Sequence, residues 1–133
     1  NNSLAYEFVD GIFLEEFVKN SKKTKIKKLL KDVFNQMYLL DKLQINKEEM
    51  HHPYKHIIIT KTNKPVLLDF ERANSTEKPS NVTQFCQCVT STNFNSLLKA
   101  KGLKINIRKV RATAKKYKNN INKKNYKNII GLV

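Results

Sequence analysis

The stretch PYKHIIITKTNKPVLLDFERA, Pro53 to Ala73, decides how this chain is read. Ile57-Ile58-Ile59 and Val66-Leu67-Leu68 are β-branched or aliphatic runs. TKTNKP between them is built of turn residues, so the pattern predicts two short strands and a tight loop. A carboxylate, Asp69, leaves the end of the second strand and is followed by Phe70. A lone Asp in that place ordinarily terminates a strand at the surface, so its meaning rests on what the rest of the chain brings beside it.

Upstream, Ile26, Leu29, Leu30, Val33, Phe34, Met37, Leu40 and Leu43 recur at intervals of three and four, which predicts a long amphipathic helix facing a core. SLAYEFVDG reads as a strand ending in a turn at Asp10-Gly11, followed by a short helix in IFLEEFV and a basic loop, KNSKKTK. QINKEEMHHPYKH is polar and irregular, and ERANSTEKPSN is loop-like. Asn81 is placed to cap a helix in VTQFCQCVTS whose Val82, Phe85, Cys86 and Val89 face inward. NFNSLLKAKG predicts a short helix closed by Gly102. NIRKVRATAKKYKNN predicts another capped by Asn106, with Ile107, Val110, Ala114 and Tyr117 as a narrow apolar stripe, and a last helix covers Lys123 to Ile130. The expected fold class is mainly α, of α+β type, with helices around one small β-hairpin.

A length of 133 residues suits one domain. No apolar run approaches the ~20 residues that cross a bilayer, and the start carries no signal sequence, so a soluble, cytoplasmic protein is expected. Cys86 and Cys88 stand one residue apart, where a strain-free disulfide is disfavoured, and are expected as reduced thiols. A Cys-x-Cys metal clamp would need two further ligands from the three histidines, and Pro53 between His52 and His56 works against a regular helical His site there. The formal net charge is +15, and twelve of the 26 Lys and Arg lie from Lys99 onward, with no Asp or Glu after Glu77. This tail admits two readings: a nucleic-acid contact, in which the Asn106 to Asn119 helix lies along phosphates with salt-dependent binding, or a plain solvated face.

The order of strand, short helix, long helix, polar loop, hairpin and Asp-Phe resembles the C-terminal lobe of a protein kinase, beginning at the hinge between lobes. YEFVDG, Tyr6 to Gly11, is similar to the kinase hinge pattern, and DFE, Asp69 to Glu71, looks like the Asp-Phe-Gly motif with Glu in place of Gly. His56 lies 13 positions before Asp69, the spacing that kinases keep between the catalytic-loop Asn and the metal-binding Asp. LDKLQINKEEMHHPYKHIII and VLLDFERA look like the archaeal predicted serine/threonine kinases related to the Rio-type atypical kinases. The resemblance covers residues 4 to 92.

The resemblance implies an ATP-dependent serine/threonine protein kinase that uses Mg²⁺ and phosphorylates a protein hydroxyl. It implies a C-lobe core over residues 1–92 and a basic helical extension over residues 93–133 packed on it. Asp69 would hold the metal, a role for which a carboxylate at a rigid strand end is suited. His56 would fall at the second metal-contacting position, where an imidazole, a poor Mg²⁺ ligand, would instead bond a phosphate or brace the loop. The catalytic base falls on Glu49 or on His51 according to the alignment, and Glu49 keeps a carboxylate there. The backbone of Glu7 and Val9 would contact adenine, Ile58 would floor its pocket and Asp10 would reach the ribose. No glycine-rich loop and no lysine strand precede Tyr6, so the resemblance implies a fragment without its N-lobe, with little turnover on its own. An inactive pseudokinase scaffold, with Glu71 and His56 marking a decayed site, is the remaining alternative.

Overall fold

A computed structural model of the chain describes residues 10–133; the expected strand over Ser3 to Val9, and with it the adenine contacts of Glu7 and Val9, lies outside the described residues. The periodic segment forms helix α2, Lys23–Lys42, which buries Ile26, Leu29, Leu30, Val33, Phe34 and Met37. Each such side chain taken from water contributes about 1.5–3 kcal/mol. Leu43 lies past the helix end and is 58% exposed, so it leaves the apolar stripe. Gln44 next to it adopts a left-handed backbone at φ 57°, a stop that usually falls to glycine.

The hairpin is present as β3 (Ile57–Thr60) and β4 (Pro65–Leu67), antiparallel, with Ile58 opposite Val66. Asn63 takes the left-handed turn position at φ 62°, which its short amide tolerates. A third strand, β1 (Gly11–Phe13), pairs with the other side of β3, giving the order β1-β3-β4. Gly11 is therefore a strand residue, not the expected turn. A Cβ there would strike the Ile59 carbonyl oxygen and come within 2.7 Å of Ile58 Cγ2, so a bare Cα lets the two strands approach. Helix α1 (Leu14–Asn20) follows directly, and only Ser21 and Lys22 separate it from α2, so most of the expected basic loop is helical. The polar segments carry a second small sheet, β2 (Ile45–Asn46) against β5 (Asn74–Ser75).

Four helices complete the fold. In α3 (Asn81–Val89) the inward residues are Val82, Phe85, Cys86, Cys88 and Val89. Asn81 is not the cap but the first residue of the helix, and it is fully buried. Helix α4 (Thr92–Ala100) closes at Gly102, whose φ of +85° permits the Leu103 and Gly102 amides to reach back to the carbonyls of Leu98 and Lys99. Asn106 caps α5 (Ile107–Asn119) through a 3.0 Å bond from the Lys109 amide, and Asn122 caps α6 (Lys123–Ile130). Val110, Tyr117 and Ile129 from these last helices belong to the same buried cluster as α1, α2 and α3. Both cysteines are free and buried, and burial pushes each thiol up to about 12. No helix among the described residues is long and apolar enough to cross a membrane.

Candidate functional site

The ladder of the hairpin continues one step past its open end, where the Leu68 amide donates to the His56 carbonyl at 2.8 Å. His56 and Asp69 therefore leave the sheet side by side. His56 Nδ1 lies 4.0 Å from Asp69 Oδ2, and His56 Nε2 lies 3.2 Å from Glu49 Oε2. The other Glu49 oxygen meets Arg72 Nη1 at 3.1 Å. Glu49, His56 and Asp69 thus form one cluster, drawn from the loop before β3 and the turn after β4. His51 is exposed and its ring tilts against His52, with centroids 4.6 Å apart. Of the two candidates for a base, Glu49 is the one in contact with this cluster.

Three of the site's residues hold left-handed backbones: Glu48 at φ 69°, Glu49 at 61° and Asp69 at 62°. Such conformations cost about 1–3 kcal/mol each for non-glycine residues and persist where neighbours over-determine them. Those neighbours are identifiable here. Asn81 Oδ1 accepts from the Lys47 amide at 2.8 Å, Gln84 Oε1 from the Met50 amide at 2.9 Å, and Glu48 Oε2 from Asn74 Nδ2 at 2.7 Å. The side chain of Met50 is fully buried. The loop carrying Glu49 is thereby pinned to the start of α3.

Two groups that the sequence pattern does not single out control this arrangement. Lys47 is only 2% exposed; its Nζ donates to the Asp69 carbonyl at 3.0 Å and sits 5.1 Å from the Phe70 ring centroid. Burial lowers its pKa, opposed by the nearby carboxylates of Asp69 and Glu49. Asp41, 3% exposed, accepts from the Asn81 amide (3.0 Å), Asn81 Nδ2 (2.8 Å), the Val82 amide (3.4 Å) and Tyr117 Oη (2.6 Å). All four partners are donors, the set that an acceptor-only carboxylate satisfies. Burial, together with the bond to Asp41, pushes the Tyr117 phenol up. Asp41 carried a signal, an acid four residues after Met37 on the inward face of α2, whereas nothing in the pattern marked Lys47.

Beside the polar cluster, the register places Phe13, Ile58 and Val66 in one row across the outer face of the sheet. Ile58 is two strand residues from His56, about 7 Å. Asp10 lies toward the hairpin-turn end of the sheet, three residues and about 10 Å along β1 from this row, in an exposed 3.1 Å pair with Lys61.

Among the described residues no set of three or more His, Cys, Asp and Glu is placed to hold a cation. Mg²⁺ is commonly held by one or two carboxylates completed by phosphate oxygens and water, and Asp69, half exposed, offers a carboxylate of that kind. His56 offers less. Its Nδ1 is sealed from solvent without a hydrogen-bond partner and its Nε2 faces Glu49, a brace between two carboxylates and not a ligand turned outward. No family model, no curated protein and no solved structure matches this chain.

Proposed function

We propose that this chain is the C-lobe of an ATP-dependent serine/threonine protein kinase, with Asp69 holding Mg²⁺ and Glu49 accepting the substrate's proton. The observation that supports this reading is the convergence of two carboxylates from separate loops on His56, on backbone that costs energy to maintain. Phosphoryl transfer asks little covalent chemistry of the protein and a great deal of positioning and charge. Asp69 would bring the metal against the nucleotide phosphates. The attacking hydroxyl would give its proton to Glu49 as its oxygen bonds the γ-phosphorus and the bond to the ADP oxygen breaks. Arg72, largely exposed, is free to swing off Glu49 when substrate enters. Purine would lie on the Phe13, Ile58 and Val66 row, with the ribose and phosphates running from it toward Asp69. The glycine-rich cover and its lysine would come from outside this chain.

The test is an NMR titration of the full-length gene product with Mg²⁺ and a non-hydrolysable ATP analogue. Shifts centred on Ile58, Asp69 and Phe70, lost in Asp69→Asn, are expected. Shifts elsewhere, or none, would refute the reading.

A further inference from the structure

Apart from the phosphotransfer site, a groove of about 480 Å³ runs between α3 and α5. Arg111, Lys115 and Lys118 of α5 line one wall, and Gln87 of α3 and Thr90 just past its end line the other, above a floor that includes Ala114. The three cations recur at intervals of four and three, so they form one row about 10 Å long. Two are fixed in place from the protein side: Arg111 Nη2 donates to the Thr90 carbonyl at 3.4 Å, and Lys118 Nζ donates to the Lys78 and Pro79 carbonyls at 2.9 Å each. Among the described residues no acid forms an ion pair with any of the three. Glu77, the last acid in the chain, borders an adjoining cavity with Lys118.

The geometry points to this groove as a docking surface for the phosphodiester backbone of a nucleic acid, read without regard to sequence. Charge complementarity selects the occupant. The positive field does not end with the groove, because Arg108, Lys109 and Lys116 share α5 and Lys123, Lys124 and Lys127 follow on α6 without an intervening acid. A nucleic acid presents a phosphate about every 3.4 Å along each strand for its whole length, which such a field matches and a short acidic peptide does not. A side-chain amide such as that of Gln87, exposed on α3, commonly joins Lys and Arg on phosphate oxygens. No aromatic residue lines the groove, so base stacking takes no part and affinity rests on the phosphates.

The test uses the 133-residue chain and a labelled DNA duplex of arbitrary sequence, about 20 base pairs long, titrated at several salt concentrations. Each neutralised phosphate adds about 0.9 to the slope of log affinity against log salt, so Lys115→Ala, which leaves one phosphate without its cation, should weaken binding about eightfold near 0.1 M salt. Lys64→Ala, the same charge change on the β3–β4 turn outside the groove and the basic helices, should weaken it clearly less. Thermal unfolding of both variants at the parent temperature shows that folding is intact. Absent binding at low salt, a flat salt dependence, or equal losses in the two variants would overturn the proposal. Equally tight binding of poly-glutamate would overturn it in favour of an acidic protein partner.

Discussion

Replacing Tyr117 by Phe removes one oxygen from a site with no access to water and leaves the ring in place. Tyr117 is fully buried, and its hydroxyl donates to Asp41 at 2.6 Å, the shortest of the four bonds that carboxylate accepts. A hydrogen bond to a carboxylate is worth about 1.5–3 kcal/mol, and the variant opens no cavity large enough to add to that. Unfolding entropy of roughly 2.1 cal/mol/K per residue gives about 0.28 kcal/mol/K for this chain, so the midpoint of thermal unfolding should fall by about 5–11 °C. Circular dichroism at 222 nm, with urea melts for the free energy, is the assay. Because Asp41 also holds Asn81, and Asn81 holds the Lys47 amide, amide exchange should quicken at Lys47 and Met50 as well as around Tyr117. A loss below about 0.5 kcal/mol, or exchange that changes only on α5, would refute the reasoning that Asp41 links α5 to the loop of Glu49.

Gly11→Ala should cost about 1–3 kcal/mol in a urea melt, because its Cβ meets the Ile59 backbone as well as the stiff, β-branched Ile58 side chain; a neutral outcome would mean that β1 does not pair there. Gln44→Gly should raise stability by about 0.5–1 kcal/mol, since it relieves a left-handed residue just past α2, and a loss would show that the Gln44 side chain has an unrecognised contact. Stability should fall with rising pH. Above about pH 9.0 the unfolded chain releases the thiol protons of Cys86 and Cys88 that the native state keeps up to about 12, so the unfolded state binds fewer protons and the slope is negative. Urea midpoints flat from pH ~8 to ~10.5 would contradict this.

The hairpin, α2, α4 and α5 were legible because each rests on a local rule: alternating or three-and-four apolar spacing, Asn106 at a cap, Gly102 at a stop. The third strand was not. Gly11-Ile12-Phe13 reads locally as a turn running into a helix, and only the long-range approach of β3 makes it a strand. Asn81 carries the residue type of a cap, yet Ser80 holds that position and the buried Asn81 side chain, inside the first turn of α3, bonds Asp41 and the Lys47 amide instead. Glu49, His56 and Asp69 could be named from the resemblance and its spacing, with Glu49 favoured over His51 for its carboxylate, but the contact of Glu49 with His56 depends on the left-handed turn at Glu48 and Glu49, which no propensity foretells. Lys47 was silent for a similar reason. A lysine in a polar loop looks solvated until Phe70 and the Asp69 carbonyl close over it.

The claim at the centre is that Glu49 and Asp69 perform one chemistry from two loops. Its most direct test is the Mg²⁺-dependent transfer of the ATP γ-phosphate by the full-length gene product, compared among the parent, Glu49→Gln, Asp69→Asn and His51→Ala with folding checked in each. The account predicts that each carboxylate variant loses about 10²–10⁴-fold in rate while His51→Ala stays near the parent. Transfer at the parent rate by Asp69→Asn, or a loss confined to His51→Ala, would contradict it.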